Sequence, residues 1–315
     1  MELPLQGLGT ARLNTQSQCT TAVTAAIRAG MRSVDCAKVY GNETGIGRAL
    51  AALMRAGEIA RSDVFVTSKL WNDDHRPEHV EAACRRTLGD LQLDYLDLYL
   101  VHWPMAWRKG TVMVPDDVPA VATWRAMEAL VDAGLVRHIG VSNFDETRLR
   151  DLLPHATKPV YCNQVEMHPF LQQPSLVEFC QSRGIRVVAW SPLAKFSAIE
   201  RCSELQALAR AKGRSVTQVV LRWHLQRAVH AIPRSGNAEH IAANARLGDF
   251  ALDASEMARM ASLDRRERIV PDFAGVFADT SVFPWRLIAT ALTWLARVVF
   301  ACFRFDMKAR FYGDC

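Results

Sequence analysis

Short apolar runs alternate along the chain with longer stretches whose apolar positions recur every three or four residues. The short runs predict strands near 8–10, 33–36, 64–68, 95–101, 139–142, 161–166, 186–189 and 231–232. The longer stretches predict helices such as 20–29, 119–133 and 175–183. Each of these three is followed by a glycine (Gly30, Gly134 and Gly184) placed where a helix C-cap needs a residue that tolerates positive φ. Strands alternating with helices, rather than clustering in one half, are the signature of an α/β fold with a parallel sheet. Eight such strands suffice to close a (β/α)8 TIM barrel.

Three of the strands run into ionisable residues. Asp35 ends the run Ser33-Val34-Asp35, with Tyr40 shortly after it; Lys69 ends Val64-Phe65-Val66-Thr67-Ser68-Lys69; His102 ends Leu96-Asp97-Leu98-Tyr99-Leu100-Val101-His102. A parallel barrel builds its active site from the carboxyl ends of successive strands, so an acid, a phenol, an amine and an imidazole would meet there. A phenol is a weak acid at neutral pH, and a nearby ammonium favours its anion. Lys69 can serve Tyr40 in this way, and Asp35 can balance an ammonium that is removed from water. His102 can donate a hydrogen bond to a carbonyl oxygen while hydride reaches the carbon, which is general acid catalysis with electrostatic support. Taken singly, Asp35 reads as a cap or ion-pair residue, Lys69 as a solvated charge and His102 as a structural histidine. Their joint placement favours carbonyl reduction.

Composition narrows the field. With 315 residues and 50% hydrophobic content the chain can bury a large core, and one main domain with a tail is expected. The net charge of +5 is dispersed, without the block of like charges that marks a nucleic-acid-binding arm. Mild basicity suits a phosphorylated ligand. The eight cysteines (Cys19, Cys36, Cys84, Cys162, Cys180, Cys202, Cys302 and Cys315) form no CxxC pair and no metal-ligand spacing, so they read as thiols of a reducing, cytoplasmic protein. The first ten residues do not look like a secretory signal.

The neighbourhoods of the four residues are specific. Asp35-Cys36-Ala37-Lys38-Val39-Tyr40-Gly41-Asn42-Glu43, Thr67-Ser68-Lys69-Leu70-Trp71 and Leu100-Val101-His102-Trp103-Pro104 resemble the catalytic segments of the aldo-keto reductase family. Gly140-Val141-Ser142-Asn143-Phe144, Asn163-Gln164-Val165-Glu166-Met167-His168-Pro169, Trp190-Ser191-Pro192-Leu193 and Ile232-Pro233-Arg234-Ser235 extend the likeness from about Gly7 to Leu263, in the family order. The resemblance implies a (β/α)8 barrel, an extended nicotinamide cofactor bound without a Rossmann domain, direct hydride transfer to an aldehyde or ketone, and no catalytic metal. By position it makes Tyr40 the proton donor, tuned by Lys69 and Asp35, with His102 orienting the carbonyl. It places Ser142, Asn143 and Gln164 on the nicotinamide carboxamide, Trp190 against the ring where the family more often has tyrosine, and Ser191 and Leu193 at the pyrophosphate. Arg234 and Ser235 fall where the family grips the adenosine 2′-phosphate, and an arginine fork suits a phosphate. His240 stands where an arginine is common and Ala243 replaces a frequent glutamate, while Asn244 is retained. NADPH is therefore expected over NADH, with NADH as the weaker alternative. Trp71 and Trp103 are placed by the resemblance beside an apolar substrate pocket. The segment 104–119, with Trp107, Arg108 and Lys109, reads as a loop over the barrel mouth, and its two cations hint at anionic substrates.

The division expected is a barrel over 1–265 and a C-terminal substrate-side loop and amphipathic helical tail over 266–315. Between Phe283 and Phe303 the chain is strongly apolar, yet Arg286, Thr290, Thr293, Arg297 and Arg304 share one side at a 3.6-residue period. Arg297 near the middle disfavours a membrane span. Packing on the barrel, dimerisation, or peripheral membrane contact through 283–304 all fit the pattern, with Trp285, Trp294, Lys308 and Arg310 suited to a membrane surface. Two rival functions stand beside the reductase: a cofactor-binding, redox-sensing barrel that docks to a partner or membrane through its tail, and a barrel hydrolase or isomerase. The complete set of four residues argues against the first, and the lack of paired histidine ligands against the second.

Overall fold

A computed structural model describes residues 2–111 and 113–270. Eight strands, β1 (Leu8–Gly9), β2 (Ser33–Asp35), β3 (Phe65–Leu70), β4 (Leu96–Val101), β5 (Val136–Ser142), β6 (Cys162–Glu166), β7 (Arg186–Trp190) and β8 (Val229–Ala231), form one sheet in chain order, every pairing parallel. Parallel bridges from Gln6 to Ala231 and from Gly9 to Arg234 join the first strand to the last. The expected (β/α)8 barrel is present.

Parallel neighbours need crossovers, and helices supply them. These are α1 (Gln16–Arg28), α2 (Glu43–Arg55), α3 (Pro77–Leu91), α4 (Ala120–Asp132), α5 (Glu146–Leu152) and α6 (Pro174–Gln181); three further helices, α7 (Phe196–Glu200), α8 (Ser203–Lys212) and α9 (Val216–Gln226), fill the β7–β8 crossover, and α10 (Ala238–Ala245) and α11 (Ala254–Ala261) follow β8. Local chemistry fixes their ends. Thr15, Ser215 and Asp253 begin α1, α9 and α11 with capping boxes closed by Gln18, Gln218 and Glu256. Gly30, Gly134 and Gly184 take φ of 90°, 69° and 70°, which is the left-handed turn their positions predict.

Side-chain alternation divides the core in two. Val34, Val66, Tyr99, Val141, Val165 and Val187 face outward and pack under the helices, while Phe65, Leu98, Leu100, Cys162, Val188 and Ile232 fill the barrel. Residues two or four further along the inward rows reach the carboxyl rim, which places Lys69 above Phe65, His102 above Leu100 and Gln164 above Cys162. Segment 104–119 is not a plain loop: Ala106–Trp107 and Pro115–Asp116 pair as a small antiparallel ribbon. Element ends fall within three residues of expectation, except that α1 begins four residues earlier because Thr15 caps it. Among the described residues no helix is long and apolar enough to cross a membrane. The tail expectations for 283–304, and Cys302 and Cys315, lie outside the described residues.

Closure leaves no room at Gly9, where a Cβ would meet the Ile232 carbonyl oxygen at 2.6 Å. Gly9→Ala should lower unfolding free energy by about 1–3 kcal/mol through overpacking, read as a reduced urea midpoint with an unchanged slope. An unchanged midpoint would show that the β1–β8 seam is not tight.

Candidate active site

The carboxyl rim of β2, β3 and β4 brings the four expected residues together. Asp35 is the last residue of β2, and Tyr40 ends the single 3₁₀ turn Lys38–Tyr40 that follows it, closed by Gly41 at φ 65°. Lys69 lies in β3 and is wholly buried. Its Nζ donates to Asp35 Oδ1 at 2.5 Å, to the Cys36 carbonyl at 2.8 Å and to the Tyr40 hydroxyl at 3.5 Å. Burial by itself would pull the ammonium down, but the Asp35 carboxylate, with Tyr40 and Cys36, holds it above its ordinary range. The amine is therefore a fixed cation beside the phenol.

His102 follows β4, buried, with its ring edge-on to Tyr40 at 6.1 Å and to Trp71 at 5.0 Å between centroids. Its Nδ1 has no partner among the described residues. Burial, reinforced by the Lys69 ammonium and by His75, holds the imidazole well below its usual range, so it is neutral. A neutral ring offers one N–H and one lone pair.

The second half of the rim carries the expected cofactor residues. Gln164 Nε2 donates to Asp35 Oδ2 at 2.7 Å, giving the carboxylate a second partner across the barrel. Ser142 Oγ donates to the Gln164 carbonyl at 2.8 Å, and Asn143 Nδ2 donates to the His102 carbonyl at 2.9 Å and to Ser142 Oγ at 3.0 Å. Trp190, half-buried at the end of β7, donates from Nε1 to Asn143 Oδ1 at 2.9 Å. Asn143 and Ser191 both hold left-handed backbone, φ 63° and 48°, a conformation that side-chain-bearing residues adopt sparingly. Ser191 and Leu193 are half-buried in the turn that follows β7.

Past β8, Arg234 and His240 are exposed and Ser235 is half-buried. Ser235 Oγ accepts from the Asn237 amide at 3.1 Å, while the Asn237 side chain caps α10 by accepting from the Glu239 and His240 amides. Asn244 is buried in α10, and its carbonyl accepts from Gln6. These residues form a separate polar cluster beyond the barrel seam.

The substrate side of the rim adds contacts that the sequence pattern does not show. Trp107 of the ribbon stands edge-on to Trp71 at 5.4 Å, adding a second indole to the wall beside His102. Trp103 is half-buried directly after His102. Lys109 does not stand ready for an anionic substrate, because its Nζ donates to Asp74 at 2.8 Å. Asp74 is wholly buried; burial would raise its carboxyl, but Lys109, Lys38 and Arg86 hold it below the ordinary range. Behind Lys69, Glu43 accepts from Ser68 at 2.5 Å and from Thr87 at 3.2 Å, and burial pushes its carboxyl up to about 7.

The chain is similar to known proteins over the length of the barrel. The family model described as "Aldo/keto reductase family" matches residues 6–265. The chain is 42% identical over 290 residues to aldo-keto reductase family 1 member A1 of Rattus norvegicus, covering 86% of this chain and 89% of that protein. The human protein of the same name is equally similar, 42% over 290 residues. Among solved structures, the aldose reductase of Schistosoma japonicum superposes with a TM-score of 0.82 at 38% identity, covering 87% of this chain and 94% of that one. The Bombyx mori aldo-keto reductase in complex with NADP gives 0.80 at 36% identity, covering 85% and 91%.

The buried titratable groups give the stability a pH dependence. Unfolded histidines take a proton near 6.5, whereas burial holds His75 down to about 4 and His224 to about 3, with His102 also depressed. Below pH 6.5 the unfolded chain therefore binds more protons at these three sites, and stability is lost as pH falls. Glu43 opposes this, since its native carboxyl titrates near 7 and its unfolded one near 4.5. With His138 and His230 also lowered by burial, the histidines outweigh one glutamate, so the protein should be less stable at pH 5.5 than at pH 7.5. Urea unfolding at the two pH values checks this, and a higher midpoint at pH 5.5 would contradict it.

Proposed function

The chain belongs to the aldo/keto reductase family, and on that premise we infer that it is an NADPH-dependent reductase of aldehydes and ketones in which Tyr40 gives the proton. Bound NADPH supplies a hydride to the carbonyl carbon, so the carbonyl oxygen gains a pair of electrons and needs one proton. The Tyr40 hydroxyl delivers it. The phenolate left behind is stabilised by the Lys69 ammonium, whose Nζ lies 3.5 Å from the phenolic oxygen, and Asp35 keeps that ammonium in place. Neutral His102 orients the carbonyl oxygen through one ring N–H and does not compete as an acid. The carrying observation is the position of a fully buried cation against the phenol, supported by a carboxylate that Gln164 holds from the far side.

The residues present suit a nicotinamide dinucleotide. Ser142, Asn143 and Gln164 would hold the carboxamide, with Trp190 as the face for the ring and Ser191 and Leu193 at the pyrophosphate. Arg234, exposed and without a carboxylate partner among the described residues, offers its guanidinium to a 2′-phosphate beside Ser235, with His240 and Asn244 on the adjoining helix. NADPH is accordingly preferred and NADH is the weaker alternative. Trp71, Trp103 and Trp107 make the substrate side apolar and aromatic, which fits small to medium aldehydes better than sugars. We take the reductase unit as residues 1–265.

Tyr40→Phe should leave quenching of tryptophan fluorescence by NADPH intact while lowering kcat for an aromatic aldehyde by about 10²- to 10⁴-fold, the worth of a general acid. In the wild-type enzyme kcat/KM should be higher with NADPH than with NADH. Full turnover by Tyr40→Phe would refute the proton-donor assignment, and a preference for NADH would refute the role of Arg234.

A further inference from the structure

Asp74 occupies a position that the reductase reading does not use. It ends the 3₁₀ turn Asn72–Asp74 between β3 and α3, its side chain has no exposed surface, and three cations converge on it. Lys38 Nζ donates to Oδ2 at 2.6 Å, Arg86 Nη2 to the same oxygen at 2.9 Å, and Lys109 Nζ to Oδ1 at 2.8 Å. Lys38 also reaches Asp73 at 3.2 Å. The cations themselves are 35%, 48% and 44% exposed, so the carboxylate is the buried anchor and the cations are the arms.

Each arm leads to a different part of the site. Lys38 opens the 3₁₀ turn that ends in Tyr40. Lys109 extends from the ribbon that carries Trp107, and that ribbon is tied a second time by the bidentate pair of Arg76 with Asp116 at 2.7 and 2.8 Å. Trp107 stands against Trp71, and Trp71 against His102. Arg86 joins the anchor to α3, part of the rigid outer layer. One buried carboxylate thus fixes both the turn that presents the proton donor and the ribbon that walls the substrate side.

We propose that Asp74 is a positioning residue that sets the distance between the Tyr40 turn and the Trp107 ribbon, and so sets the preference for ring-bearing over small aliphatic aldehydes. The proposal rests on the reductase reading above. Loss of the carboxylate leaves three cations facing a neutral group; their repulsion loosens the ribbon, whose contact matters most to a substrate large enough to touch Trp107. A small aldehyde held by His102 and Tyr40 alone is less affected. The two lysine arms are separable, because Lys109 acts on the wall and Lys38 on the proton donor.

Steady-state kinetics with NADPH on 4-nitrobenzaldehyde and on propanal test this in Asp74→Asn, Asp74→Glu, Lys109→Met and Lys38→Met, all of which retain Tyr40. Asp74→Asn should raise KM for the aromatic aldehyde roughly tenfold and KM for propanal less than about threefold, with Asp74→Glu recovering part of the difference. Lys109→Met should reproduce the KM change with kcat unaltered, and Lys38→Met should lower kcat for both aldehydes. Equal changes for the two aldehydes that track a lowered Tm, or no change in folded variants, would overturn the proposal. If Asp74→Asn does not fold, the lysine variants decide, and identical behaviour of the two would overturn it. Inactive wild-type enzyme would instead count against the reductase reading itself.

Discussion

The arrangement depends on the free energy of holding one ammonium out of water. A buried, unpaired Lys69 would shed its proton or drive local unfolding, since desolvating a cation costs several kcal/mol even after relaxation. Asp35 makes the charged form tolerable, the Cys36 carbonyl accepts a second N–H, and Gln164 satisfies the remaining oxygen of Asp35. Those partners come from β2, the residue that follows it, and β6, so the ion pair around Lys69 of β3 is held by strands on opposite walls of the barrel. Its stability and the geometry of the phenol beside it are therefore the same structural fact.

Parallel register explains why these side chains converge. With a period of two along each strand, Thr67 and Lys69 stand on the inward row of Phe65, and His102 continues the row of Leu98 and Leu100. Helix caps and left-handed glycines fix where each strand restarts, and so fix which residue reaches the rim. The left-handed backbone at Asn143 and Ser191 places strain at the rim, where the surrounding strands can bear it.

Much of this is legible in the sequence because it is encoded locally. Glycine stops and apolar runs mark the barrel, and the short motifs around Tyr40, Lys69 and His102 bring the resemblance with them. Asp74 and Trp107 are different. Asp74 sits in a run of polar residues, Asn72-Asp73-Asp74-His75-Arg76, that reads as a solvated turn, and its three cations come from positions 38, 86 and 109. Only the folded chain shows that this carboxylate is the buried one. Likewise Lys109 reads as a free cation over the mouth, and Gln164 reads as a cofactor ligand without any sign that its amide also holds Asp35.

The most direct test of the account is the turnover of Lys69→Met at saturating NADPH, with circular dichroism confirming the fold and tryptophan quenching confirming cofactor binding. kcat for carbonyl reduction should fall at least about a hundredfold while NADPH still binds, because the phenolate loses its cation at the moment of proton transfer. A folded, NADPH-binding variant with kcat near that of the wild-type enzyme would contradict it.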